Sequence, residues 1–283
     1  MCRGLLYITL AVAASQWPSQ LEAQPPPIAR SPAATGSPSA YRGRQLADRP
    51  PPNRLTASYS YFDFDTDFDS WHLLSAWYER RGSSGSLIGR VNYANRFDRS
   101  AVQFELESWP IFSRRFYAYL NAGYSPSSSY PEWRFGGELY GNIPGAWEAS
   151  AGFRLLVFDE EDVPMLAGSL GKYYGNYWTS LRPFLVFEDG GDLSLTLVLV
   201  TRRYFIDADN YLSALVSYGR GPSQGVSAAE LDRLDDVKLE LGGKHPLGRD
   251  LSWSWTASFE REELSGDRVR NRFGLGAGFE QRF

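Results

Sequence analysis

The chain has 283 residues and a formal net charge of −4 at pH 7, and 15% of its residues are aromatic although its mean hydropathy is −0.37. A charge this near balance gives no footprint for nucleic acid. The single cysteine, Cys2, excludes a disulfide scaffold or a cysteine-ligated zinc, and thiol-free chemistry beyond it suits an oxidising periplasm.

Residues 1–23 read as a secretory signal for the Sec pathway: Arg3 supplies a positive start, Leu5 to Ala14 an apolar stretch, and Leu21-Glu22-Ala23 a cleavage site. That stretch is too short to span ~30 Å of hydrocarbon as a helix. Cys2 precedes it, whereas a lipoprotein cysteine would follow it. Residues 24–53 change composition sharply, with Pro25-Pro26-Pro27, Pro32, Pro38 and Pro50-Pro51-Pro52 among serine, alanine and arginine. A stretch of this kind cannot bury a core, and it reads as a disordered periplasmic tether.

Residues 54–283 follow a period of two. Val102, Phe104 and Leu106 alternate with Gln103, Glu105 and Glu107, and Leu193, Leu195, Leu197 and Leu199 with Ser194 and Thr196. From Leu251 to Glu260 the alternation runs unbroken, about the length a tilted strand needs to cross a bilayer. Soluble strands average nearer ~5–6 residues. Breakers such as Asn142-Ile143-Pro144-Gly145, Asp159-Glu160-Glu161-Asp162, Tyr174-Gly175-Asn176 and Asp189-Gly190-Gly191-Asp192 separate the runs.

Fourteen strands are predicted, starting near Leu55, Trp71, Leu87, Ser100, Phe116, Trp133, Ala146, Val163, Tyr177, Leu193, Tyr211, Val237, Leu251 and Arg270. Twelve is the alternative count. The expected fold is all-β, a transmembrane antiparallel up-and-down barrel, with a secreted β-sandwich as the soluble alternative. An even count closes a bacterial barrel with both ends in the periplasm; the longest loop, Gly219 to Asp236, then faces outward. The chain ends on an amphipathic strand in which Phe279 and the terminal Phe283 resemble the signal read by the barrel-assembly machinery. Gln281 departs from it, in a slot that is usually hydrophobic.

Several strings are characteristic: Asn95-Arg96-Phe97-Asp98-Arg99-Ser100, Tyr117-Ala118-Tyr119-Leu120-Asn121, Pro144-Gly145-Ala146-Trp147-Glu148-Ala149-Ser150, and Thr201-Arg202-Arg203-Tyr204-Phe205 followed by Ala208-Asp209-Asn210-Tyr211-Leu212. With Ser169-Leu170-Gly171-Lys172-Tyr173-Tyr174-Gly175-Asn176-Tyr177-Trp178 and Ser180-Leu181-Arg182-Pro183, they resemble the YaiO-like outer-membrane β-barrel family from roughly Leu55 to Phe283. The resemblance implies a bacterial outer-membrane location and a barrel. It also implies an association with envelope or exported polysaccharide, and no catalytic motif. Some relatives carry a helical-repeat segment where this chain has its Pro-rich stretch.

A charge on the lipid face costs ~2–4 kcal/mol near the midplane, so the charged side of each strand is expected to face the lumen. That places Arg90, Glu105, Glu107, Arg134, Glu138, Glu148, Arg154, Arg182, Lys238 and Glu240 on the inner wall, five basic and five acidic. A balanced wall suits either an ion-pair network bracing a narrow barrel or a weakly selective pore for neutral solutes, sugars included.

An enzymatic alternative needs a histidine. His72 sits near the outer rim beside Ser70, Asp67 and Asp69, while His245 falls at a periplasmic turn, the wrong end for outer-leaflet chemistry. Glu105 and Glu107 make glycosidase-like chemistry conceivable, with wall bracing the simpler reading. The acidic segments Asp63-Phe64-Asp65-Thr66-Asp67 and Asp159-Glu160-Glu161-Asp162 suggest calcium or a divalent bridge to lipopolysaccharide; the first resembles the start of an EF-hand but lacks its glycine at position six, and both read better as solvated turns. The sequence therefore predicts a non-enzymatic channel or accessory barrel without cofactor, whose partners are outer-membrane lipid including lipopolysaccharide, the barrel-assembly machinery and candidate glycans. A rim-sited lipid- or glycan-modifying enzyme and a purely structural barrel are the alternatives.

Overall fold

The computed structural model describes residues 52–283 apart from 66–68, 97–98, 128, 160–161, 188–192, 220–232 and 265–267. The signal segment, tether residues 24–51 and most of the long loop after Gly219 lie outside the described residues, as does Asp67.

Fourteen antiparallel strands close on themselves: β1 Asn53–Phe64, β2 Trp71–Gly82, β3 Gly85–Arg96, β4 Arg99–Pro110, β5 Phe116–Tyr124, β6 Trp133–Ile143, β7 Trp147–Val157, β8 Asp162–Tyr174, β9 Tyr177–Phe187, β10 Leu193–Tyr204, β11 Tyr211–Gly219, β12 Arg233–Pro246, β13 Leu251–Leu264 and β14 Arg268–Arg282. Each strand pairs with its sequence neighbours, and β1 pairs β14 from Arg54↔Arg282 to Phe64↔Arg272. This closure leaves no exposed edge, which lipid would not tolerate. All fourteen expected strands are present. The largest difference in start is at β12, which begins at Arg233 rather than Val237.

The period of two determines which side chains meet lipid. In β10, Leu193, Leu195, Leu197 and Leu199 are exposed on the outer wall, while Ser194, Thr196, Val198 and Val200 are buried inside. Rings mark the two rims of the outer wall. Tyr78, Trp147, Tyr174 and Tyr177 lie at the end that carries both termini, and Tyr59, Tyr93, Tyr124 and Trp133 at the opposite end. Amphipathic rings favour the membrane–water interface, so these two girdles bracket the hydrocarbon.

Turns at the termini end are short. Gly145 and Ala146 in the β6–β7 turn have φ of 85° and 62°, a left-handed conformation suited to a tight reversal. Asn53 and Phe283 exchange backbone hydrogen bonds of 3.2 and 3.1 Å, which pins the two ends of the barrel together.

Candidate functional site in the barrel lumen

The interior is filled with side chains. Gln103 and Glu107 on β4, Thr196 on β10 and Glu262 on β13 are each 0% exposed, so water is excluded from widely separated parts of the inner wall. Apolar clusters share this space with charges: Phe62, Phe64, Trp71 and Leu73 toward the far end, and Trp77, Trp109, Tyr117, Tyr119 and Tyr140 toward the termini end.

Strand parity turns the expected charged residues inward, and they gather into groups. Arg90 meets Glu107 at 2.9 Å, and Arg134 lies 3.6 Å from Glu105. Asn92 and Asn121 donate to Glu105 at 2.6 and 3.1 Å, so the two β4 carboxylates have separate partners. A second group centres on Glu138 of β6, which accepts from Arg154 of β7 at 2.7 Å, Arg182 of β9 at 2.8 Å and Ser150 at 2.5 Å. Arg182 also donates to the Tyr140 hydroxyl at 3.1 Å and so spans three strand gaps. Glu148 accepts from Tyr117 at 2.8 Å, while Lys238 and Glu240 pair at 3.0 Å on β12, apart from the rest.

Guanidinium groups also lie over rings, with Arg90 5.0 Å from Trp77 and Arg154 4.8 Å from Tyr119. Such contacts contribute more where water is excluded.

A larger cluster, which the strand pattern does not single out, lies at the termini-end mouth. Here the turn joining β10 to β11 carries Asp209 against Arg54 of β1 at 3.1 Å, Arg282 of β14 at 3.2 Å and Lys244 of β12 at 3.5 Å. Glu280 of β14 accepts from Lys244 at 2.6 Å, Arg282 at 3.0 Å and Arg54 at 3.3 Å. Glu79 of β2 completes the cluster, accepting from Arg81 at 2.6 Å. The turn is shaped for this role: Asp207 caps the backbone N–H of Asp209 at 2.9 Å, and Phe205 N–H bonds the Asn210 carbonyl at 2.9 Å. Burial works to raise the pKa of Asp209, yet Lys244, Arg54, Arg282 and Arg81 together hold its carboxyl well below the usual carboxylate range.

Other inner charges absent from the sequence-based set include Arg202, whose guanidinium lies 4.2 Å from the Tyr211 ring and 5.7 Å from Trp178. At the far end Arg270 pairs with Glu262 and Arg272 with Glu260. Continuing the inward parity to the end of β13 and the start of β14 is the signal that finds these four.

The far mouth is narrowed by the β5–β6 loop. Its Tyr130 is buried with the Phe62–Trp71 cluster, and Arg96 donates to the Ser129 carbonyl at 3.1 Å. Burial pushes the Tyr130 phenol up to about 12, with the Arg96 guanidinium 4.9 Å from its ring opposing the shift.

His72 faces outward. Its Nδ1 bonds the Tyr59 hydroxyl at 2.7 Å, while Ser70 donates to Asp63 at 3.0 Å and bonds Tyr61 at 2.9 Å, so the structure gives each a different partner. His245 bonds Asn210 at 3.2 Å at the termini end. Asp65 accepts from the backbone N–H and side chain of Asn271, and the backbone bond chiefly lowers its pKa. Among the described residues no three His, Cys, Asp or Glu side chains are grouped to hold a metal. Phe279 and Phe283 are both exposed, on the outer wall and at the last residue.

Solved structures share this architecture at very low identity. A bacterial polysaccharide outer membrane secretin superposes with a TM-score of 0.58 at 9% identity, covering 83% of this chain and 100% of its own. The CymD monoaromatic hydrocarbon channel gives 0.55 at 8% identity, covering 83% and 89%. The outer membrane protein Omp33 of Acinetobacter baumannii gives 0.52 at 14% identity, covering 83% and 99%. No curated protein matches the chain by sequence. The model of the YaiO membrane beta barrel domain matches residues 52–224, and with the closed fourteen-strand barrel this places the protein at the outer membrane. The chain belongs to the YaiO membrane β-barrel family.

Proposed function

We propose that this barrel is a narrow, gated, non-enzymatic channel for polar uncharged solutes, glycan segments of envelope or exported polysaccharide foremost. One observation carries the reading: at the termini-end mouth the β10–β11 turn reaches Lys244 of β12, Arg282 of β14 and Arg54 of β1, and ion pairs centred on Asp209 hold it there. A barrel built solely as a brace gains little from buried ion pairs, because apolar replacements of similar volume are often as stable. Paired charges that separate into water suit a closure that opens.

The inner wall supports the solute class. Carboxylates and guanidinium groups interleave with Trp77, Trp109, Tyr117, Tyr140 and Trp178, which are packed away in the closed barrel; a path opened between them gives a sugar both stacking faces and hydrogen bonds. The ion pairs leave no large excess of either sign for selecting ions. The fold is shared with a polysaccharide secretin and a hydrocarbon channel, which fits transport without identifying the solute.

On the same reading the chain crosses the inner membrane by the Sec route, and the β14 ending with Phe279 and Phe283 addresses the barrel-assembly machinery. On this reading His72 and Ser70, bonded to Tyr59 and Asp63, are polar residues of the outer rim rather than a base and its nucleophile. Swelling of proteoliposomes in neutral sugars of increasing size tests the proposal. Asp209→Ala is expected to admit oligosaccharides that wild type admits slowly; equal exclusion of all sugars by both would overturn it.

A further inference from the structure

We propose that the outer wall of β8, β9 and β10 holds the phosphate of an anionic phospholipid in the periplasmic leaflet, with Lys172 and Arg203 as its cations and the Tyr174–Thr179–Thr201 hydroxyl chain as its donor. The registers bring these side chains together. Lys172 lies opposite Thr179, and Thr179 opposite Thr201; two residues nearer the chain ends, Tyr174 lies opposite Tyr177, and Tyr177 opposite Arg203. All six project from the lipid face, since their neighbours in each strand point inward. Standard sheet spacings put the Lys172 and Arg203 backbones about 12 Å apart. Two long side chains can therefore converge on one headgroup.

Both cations are partnered by rings. Lys172 Nζ lies 4.4 Å from the Trp147 ring, and Arg203 Cζ lies 5.3 Å from Phe205 and 5.8 Å from Tyr177. Ring contacts position a cation without neutralising it, so both charges stay available to an anion. Between them runs a hydroxyl chain, Tyr174 to Thr179 at 2.9 Å and Thr179 to Thr201 at 2.8 Å. Three hydroxyl protons serve two bonds, which leaves one to donate outward. Hydrocarbon would leave that proton unsatisfied at a cost, whereas a phosphate oxygen accepts it.

The rest of the outer wall agrees. Among described strand residues, the termini half presents Arg80, Lys172 and Arg203 and no carboxylate, while the opposite half presents Asp63, Asp162 and Glu263 against Arg261. In an even-stranded bacterial barrel the termini face the periplasm, so the basic half lies in the periplasmic leaflet.

Native mass spectrometry of the folded full-length protein in detergent, titrated with phosphatidylglycerol or phosphatidylcholine of the same acyl chains, tests this site. Wild type should bind phosphatidylglycerol more tightly, and the preference should fall roughly fivefold for each cation removed in Lys172→Gln and Arg203→Gln. Arg80→Gln should keep it, and excess inorganic phosphate should leave the lipid bound. Equal binding of the two lipids by wild type would overturn the proposal whether or not the variants fold. So would an unchanged preference in the folded double variant, or displacement by inorganic phosphate.

Discussion

Arg54 and Asp209 stand 155 positions apart in the chain, and their side chains meet at 3.1 Å. The contact ties the first strand to a turn four strand gaps round the barrel from it, so it constrains the mouth rather than the wall. Asp209→Ala removes the shared carboxylate from Arg54, Lys244 and Arg282 and leaves Glu280 and Glu79 to balance them. The cost is expected to be about 2 kcal/mol, because buried charge-assisted bonds are lost while the strand ladder stays intact. Urea titrations followed by gel mobility of the folded barrel should show the midpoint falling, with Asp209→Glu retaining part of the stability.

The acid response of the clasp follows from the depressed pKa of Asp209. A carboxyl whose folded pKa lies below its unfolded value of ~3.9 contributes stability that is present above that value and lost as pH falls through the folded one. The Asp209 contribution to closure should therefore be the same at pH 7 and pH 5 and weaken only in acid, once the pH falls below about 4. Sugar flux measured across that range should rise at the acid end in wild type. In Asp209→Asn this component should be absent.

Glu138 is the hub of the second group, accepting from Arg154, Arg182 and Ser150. Glu138→Ala leaves two buried guanidinium groups without their carboxylate, at a cost of roughly 3–5 kcal/mol. Arg182→Ala leaves Glu138 still paired with Arg154 and should cost less. A double-mutant cycle on these two positions should show coupling of about 0.5–3 kcal/mol. Purely additive effects would mean the bridge from β6 to β9 contributes little.

His72 tests the enzymatic alternative. Its bond to Tyr59 lies on the outer wall, so His72→Phe removes one interfacial hydrogen bond and retains a ring. Stability should change by within about 0.5 kcal/mol and sugar flux should be unchanged. A phospholipase or acyl-transfer activity in the wild type that vanishes in this variant would restore the enzyme reading.

The strands were legible because lipid and lumen impose opposite chemistries on alternating residues, as in Leu251 to Phe259, where apolar residues face out and serine and threonine face in. The start of β12 was the least legible boundary, since Arg233, Asp235 and Asp236 look like loop when read by composition. Inner residues near strand centres, such as Glu138 and Arg154, follow from the same parity. Arg270, Arg272, Glu260 and Glu262 were obscured because charge near a strand end resembles a solvated turn. The clasp was not legible at all: nothing local to Asp209 says that its turn folds inward, and its partners come from β1, β12 and β14.

The most direct test of a gated channel is single-channel current through the refolded barrel in a planar bilayer, comparing wild type with Asp209→Ala and adding neutral oligosaccharides as blockers. A gated channel should give a largely closed wild type with brief openings, longer openings in Asp209→Ala, and interruption of both by sugar. Identical silent traces from the two proteins, with folding confirmed by gel mobility, would contradict it.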